Sequence, residues 1–169
     1  MHTSRLAARL IERLREQQKT IATVESCTGG LIAAAITSIA GSSDVFQSGF
    51  VTYANAAKSA MVGVPEYLLA SYGAVSIEVA ASMAEGGLKT AGAQIALSVT
   101  GIAGPGGGTP EKPVGLVCFG LSYIDPEQEI VTYAQKMTFG DMGRDRVREK
   151  SVEHALQWAL DVLEPGTNA

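Results

Sequence analysis

The sequence predicts an α/β protein, a three-layer α/β/α sandwich on a mixed sheet. Short apolar runs suited to buried strands alternate with runs at helical spacing through the first hundred residues. Two strand-like runs then follow one another with only a turn between them, which adds a hairpin to an otherwise crossover-connected sheet. The composition, 46% hydrophobic against 18% charged over 169 residues, is that of a chain that builds a core. One domain over residues 1–169 is expected, with its core at about 6–163, burying roughly 70% of the surface the unfolded chain exposes.

Each element has a local reason. Residues 4–18 place Leu6, Leu10 and Leu14 at helical spacing, with arginines between them. Ile21 to Val24 is a short apolar strand, Glu25 to Gly30 a tight turn, and Leu31 to Ile39 a helix of small residues that stops at Gly41. Phe46 to Tyr53 reads as a strand through Phe50, Val51 and Tyr53. Asn55 to Val62 is helical, and Pro65 to Ser71 a second short helix with Pro65 at its first position. Ser76 starts a longer helix that ends near Gly92. Ile95 to Thr100 is a buried strand running into a glycine-rich loop, residues 101–108. Val114 to Tyr123 and Glu129 to Thr138 are strands joined by a turn at Asp125-Pro126-Glu127. Asp141 to Leu163 closes the chain as a helix, with Val147, Val152, Ala155, Leu156 and Ala159 roughly on one face.

Several function classes are set aside at this level. The net charge is −4, and the only basic run is Arg144 to Lys150, so no nucleic-acid partner is expected. No apolar run approaches the ~20 residues of a membrane span. Two cysteines, Cys27 and Cys118, without a signal peptide point to a reducing cytoplasm. The two histidines, His2 and His154, stand apart from any cluster of Cys or Asp, which argues against a zinc or iron site and against a Ser-His-Asp triad. Neither a metal nor a cofactor is expected. A homo-oligomer is, with a dimer as the default.

Four segments carry candidate chemistry. Ser26 lies just past a strand end, followed by Thr28, Gly29 and Gly30 and then a helix. Such a turn can present a nucleophile and hold an oxyanion on free N–H groups; equally, Ser26 or Thr28 can simply cap the helix. Tyr53 ends the next strand, and Lys58 sits about one turn into the following helix. With no histidine at hand, a lysine whose pKa is lowered by burial can take the serine proton, and a tyrosine hydroxyl can orient it or relay a proton. A surface lysine beside a half-buried tyrosine is the plainer alternative. The run Thr100-Gly101-Ile102-Ala103-Gly104-Pro105-Gly106-Gly107-Gly108-Thr109 follows a strand, as ligand loops of α/β sheets do. It has neither the Walker pattern nor dinucleotide-fingerprint spacing, yet its N–H groups can cradle a phosphate or sugar. Arg144, Arg146 and Arg148 oppose the dipole at the start of the last helix, which makes them candidates for a ligand phosphate or partners of Asp141, Asp145 and Glu149.

Together the segments resemble a known family. Glu25-Ser26-Cys27-Thr28-Gly29-Gly30, Gly41-Ser42-Ser43, Gly49-Phe50-Val51-Thr52-Tyr53 with Asn55 and Lys58, Gly73-Ala74-Val75-Ser76, Thr100 to Pro105 and Lys112-Pro113-Val114-Gly115 are similar to the CinA C-terminal family, from about Leu6 to Leu163. The resemblance implies hydrolysis of nicotinamide mononucleotide to nicotinic acid mononucleotide and ammonia, in pyridine nucleotide salvage, without a metal. It implies Ser26 as nucleophile, Lys58 as base and Tyr53 as the assisting hydroxyl. Thr28, Gly29, Gly30, Thr100, Gly101 and Gly104 are expected to contact the mononucleotide. The chain resembles the stand-alone form, without the additional nucleotide-processing domain of some members. Where the family tends toward Gly-Asp-Arg, this chain reads Gly140-Asp141-Met142-Gly143-Arg144, so the phosphate falls to either Arg144 or Arg148. A nucleotide-binding sensor without turnover is the competing reading. The presence of Ser26, Tyr53 and Lys58 together counts against it. A phosphatase or pyrophosphatase would call for a metal-binding carboxylate cluster.

Overall fold

The structure, a computed structural model, describes residues 2–164. The elements in chain order are α1 (His2–Glu16), β1 (Ile21–Glu25), α2 (Leu31–Thr37), a 3-10 turn (Ser42–Asp44), β2 (Phe46–Val51), α3 (Asn55–Val62), α4 (Glu66–Tyr72), α5 (Ile77–Ala91), β3 (Ile95–Gly101), β4 (Leu116–Ile124), β5 (Ile130–Thr138) and α6 (Arg144–Leu163). No described helix is long and apolar enough to cross a membrane.

The strands form one sheet in the order β2-β1-β3-β4-β5. β1 pairs parallel with both β2 and β3, while β3–β4 and β4–β5 are antiparallel, so the sheet is mixed as expected. Alternate residues of the central strands face opposite layers. Ile21, Ile95, Leu97, Val99, Val117, Phe119 and Leu121 pack with α1, α2 and α6 in the larger core. Ala22, Val24 and Ala96 face the other side, where α5 lies.

Small side chains on that second face set how close α5 comes. Ser98 Oγ donates to the Ala80 carbonyl, and a Cβ at Gly120 would run into the same carbonyl and into Ser98 Oγ. Gly120→Ala is therefore expected to push α5 off the sheet and cost about 1–3 kcal/mol, read as a lower midpoint in urea unfolding. An unchanged midpoint would show that α5 has slack at this position.

Several element ends differ from the sequence expectation: β2 stops at Val51, so Tyr53 lies two residues past the strand, α2 stops at Thr37, β4 starts at Leu116, and two helix starts differ for local reasons. Pro65 is the extended N-cap of α4 (φ −61°, ψ 134°), one residue before its expected place. α6 starts at Arg144 and not at Asp141, because Gly140 and Gly143 hold positive φ in the turn before it.

Candidate active site

β1 and β3 run side by side in parallel, ending at Glu25 and Gly101. From β1 the chain crosses by α2 to β2 on one side. It then returns to β3 on the other side, with α5 on the opposite face. Successive crossovers that diverge in this way open a crevice outside the carboxyl ends of the two strands. Ser26 and the residues after Val99 both lead into that crevice.

The turn after β1 is held at several points. Ser26 N–H still donates to Val99 on β3 at 2.9 Å, and Gly29 N–H closes back on the Ser26 carbonyl at 3.0 Å. Gly29 and Gly30 have φ of 58° and 102°, left-handed values that a side chain would strain. Glu25 is buried beneath the turn. Its Oε1 accepts from the Thr28 hydroxyl at 2.7 Å and from Ile32 N–H at 2.8 Å, and its Oε2 accepts from Ala33 N–H at 3.0 Å. The start of α2 is thus satisfied by a carboxylate of the protein. Neither Ser26 nor Thr28 is the helix cap, and those N–H groups are not open to a ligand anion. The N–H groups of Cys27 and Thr28, by contrast, meet no oxygen acceptor among the described residues.

α3 brings the lysine. Lys58 is only 1% exposed. Its Nζ donates to the carbonyls of Thr52 at 2.8 Å and Tyr53 at 3.2 Å, and lies 3.2 Å from Ser26 Oγ. All three partners are neutral oxygens, and burial pushes the Lys58 amine below its ordinary pKa. A neutral Nζ can keep both carbonyl hydrogen bonds and turn its lone pair to the Ser26 hydroxyl. Cys27, the other nucleophile of the turn, is buried, and burial above all pushes its thiol up to about 12, which leaves it protonated near neutrality.

The pocket around this pair has a volume of about 240 Å³ and is lined by Ser26, Lys58, Tyr53, Asn55, Thr100 and Arg144, with Gly101 on its wall. Tyr53 stands at the mouth, 58% exposed. Its hydroxyl accepts from Arg144 Nη2 at 3.1 Å, so its direct link to Lys58 is the main-chain carbonyl. Arg144 Nη1 donates to the Gly104 carbonyl at 2.8 Å, which ties the glycine-rich loop to α6. Thr100 donates its hydroxyl to the Ala74 carbonyl at 2.9 Å.

The expected residues thus divide. Ser26, Tyr53, Lys58, Thr100, Gly101 and Arg144 line one pocket. Thr28, Gly29 and Gly30 shape the turn behind it, and Gly104 supplies a carbonyl to Arg144. Arg148 lies on the outer side of the turn, donating to the Cys27 and Thr28 carbonyls, and Arg146 pairs with Glu149 at 3.0 Å. His154 packs against Phe119 and bonds Gln135, as a core histidine does. Sequence reasoning gave no role to Glu25, although the acid beside the serine was in view. Nor did it give one to Asn55, Ala74 or Val75, which line the pocket as well, alongside Cys27 and Ala103. A larger cavity of about 940 Å³ lies at the other end of the strands, near Gln17, Lys19, Gln94 and Tyr133. No described serine or cysteine lines it, and Ser26 and Lys58 lie away from it.

Comparison with known proteins shows the family of the chain. Over 151 residues the chain is 54% identical to a CinA-like protein of Citrifermentans bemidjiense, covering 89% of this chain and 35% of that protein. It is 57% identical over 148 residues to a CinA-like protein of Akkermansia muciniphila, covering 88% and 34%. The chain therefore spans about a third of the length of the curated relatives it matches. Among solved structures it is similar to the competence/damage inducible protein CihA from Agrobacterium tumefaciens, with 45% identity, a TM-score of 0.89 and 96% of each chain covered. It is also similar to a competence-damaged protein (CinA) superfamily protein from Escherichia coli, with 34% identity, a TM-score of 0.86, and 94% and 88% covered. The model of the CinA C-terminal domain matches residues 3–163, and the chain belongs to that family.

Proposed function

We propose that this protein hydrolyses the carboxamide of nicotinamide mononucleotide, giving nicotinic acid mononucleotide and ammonia. The observation that carries the reading is the buried Lys58 amine, 3.2 Å from Ser26 Oγ, with no carboxylate among its hydrogen-bond partners to keep it charged. A buried lysine beside a serine hydroxyl, in a pocket of aromatic-ring size, is a base held next to its nucleophile.

Ser26 Oγ attacks the carboxamide carbon while Lys58 Nζ takes the hydroxyl proton. The carbonyl oxygen becomes an oxyanion, received by the free N–H groups of the turn. As the C–N bond breaks, Lys58 returns the proton to the leaving nitrogen, which departs as ammonia. A water then attacks the Ser26 ester, giving its proton to Lys58. Collapse releases the acid and restores the hydroxyl. The test is ammonia release from nicotinamide mononucleotide without added metal. A wild-type protein that binds the mononucleotide and releases no ammonia would support the sensor reading instead.

Arg144, the arginine that lines the pocket, stands beside the exposed Tyr53 and is the residue this reading gives to the phosphate. Arg144→Gln is expected to raise KM for the mononucleotide about tenfold or more and to change kcat less, because a remote ground-state contact is lost. The riboside, lacking the phosphate, should be a poor substrate and indifferent to the change. Equal use of riboside and mononucleotide by the wild type would remove the phosphate site from the reading.

A further inference from the structure

We propose that Arg148 is a positioning residue that holds the nucleophile turn from behind, so that the N–H groups of Cys27 and Thr28 form the oxyanion site. This deepens the hydrolytic reading above and rests on it. Arg148 Nε donates to the Cys27 carbonyl at 3.1 Å and Nη2 to the Thr28 carbonyl at 3.3 Å. One rigid guanidinium thus spans two successive peptide units.

In a trans peptide the carbonyl and the following N–H lie in one plane and point in opposite directions. Fixing the Cys27 carbonyl therefore points the Thr28 N–H in the opposite direction within that plane. The neighbouring unit is fixed as well, since the Ser26 carbonyl accepts from Gly29 N–H, which orients the Cys27 N–H. Neither of these two consecutive N–H groups has an oxygen acceptor among the described residues. Consecutive N–H groups make an anion-binding concavity, and Cys27, whose N–H meets only its own thiol, lines the same pocket as Ser26 and Lys58. A cation on the far carbonyl also polarises the peptide, which makes its N–H a stronger donor. Arg148 is not among the residues lining the pocket. Its effect on the reaction passes through the turn.

The prediction separates Arg148 from Arg144. Loss of an oxyanion donor costs about 10²–10³ in kcat, and misalignment of donors that remain present should cost about 10- to 100-fold. Arg148→Gln is expected to show that loss in kcat, with KM for the mononucleotide changed less than about threefold. Arg148→Lys replaces a fork by a single point and should recover only part. It also serves where the Gln variant folds poorly.

A second readout tests the oxyanion site without relying on the natural amide. meta-Pyridylboronic acid forms a tetrahedral adduct on an active serine, whereas nicotinic acid mononucleotide is a ground-state ligand. Both Arg148 variants should bind the boronic acid about tenfold or more weakly and the mononucleotide acid unchanged. Unchanged kcat and boronate affinity, or a rise in KM alone, would overturn the assignment and return Arg148 to the phosphate. If the wild type releases no ammonia yet binds the boronic acid in an Arg148-dependent way, the substrate reading falls and the Arg148 assignment stands. If it does neither, both fall.

Discussion

Ser26→Ala is expected to lower ammonia release from nicotinamide mononucleotide by about 10⁴-fold or more while leaving the protein folded. The rate effect follows from losing the atom that forms the acyl bond. The fold should persist because the Ser26 hydroxyl has one protein partner, Lys58, while the Ser26 N–H remains bonded to Val99. Lys58 keeps its two carbonyl acceptors. The thermal midpoint should therefore move by no more than a few degrees, in line with about 1 kcal/mol for one hydrogen bond. Cys27→Ala is the matched control. Its thiol is buried and protonated, so kcat should stay within severalfold of wild type. The reverse pattern, with Cys27→Ala inactive and Ser26→Ala active, would move the nucleophile to the thiol.

What the sequence made legible was local, and what it concealed depended on the sheet. The boundaries of α3 at Asn55 and Val62 and of α5 after its Ser76 cap followed from short-range signals. Ser76 Oγ accepts from Val79 N–H at 3.2 Å, as an N-cap should. Ser26 and Lys58 could be picked out as candidates by residue type and position, and the family resemblance named their roles. Nothing local told that Lys58 is buried. Its burial comes from the parallel pairing of β1 with β2, which brings the residues after Val51 alongside Glu25, so that Thr52 N–H donates to the Glu25 carbonyl at 2.9 Å. The two arginines show the same division. Arg144 and Arg148 lie one helical turn apart on α6, and both were candidates for the phosphate. The structure gives Arg144 to the pocket mouth and Arg148 to the backbone of the turn. Glu25 was overlooked because a carboxylate at a strand end reads as a solvated charge. Only folding α2 back over β1 turns it into the cap of that helix.

Lys58→Met should lower the rate by about 10²–10⁴-fold, the usual contribution of a positioned general base, and should at the same time stabilise the protein. Both effects come from the same burial. The folded-state pKa of Lys58 lies below its value in the unfolded chain, ~10.4, with desolvation as the first cause. Below the lowered pKa both states hold the proton, and the folded protein carries the full cost of a buried ammonium. Between the two pKa values the unfolded state holds more protons than the folded one. Stability of the wild type therefore rises with pH across that window and levels off above ~10.4. Methionine fills similar space without the charge, so the stability gain of Lys58→Met should be largest below the window and shrink through it. The wild-type kcat/KM should rise with pH through the same lowered pKa, because only the neutral amine accepts the Ser26 proton. The two experiments are independent, one read from urea unfolding of wild type and variant across pH, the other from initial rates. They should report one pKa. A kcat/KM flat from about pH 6 to 10 and unchanged in Lys58→Met would argue against Lys58 as the base.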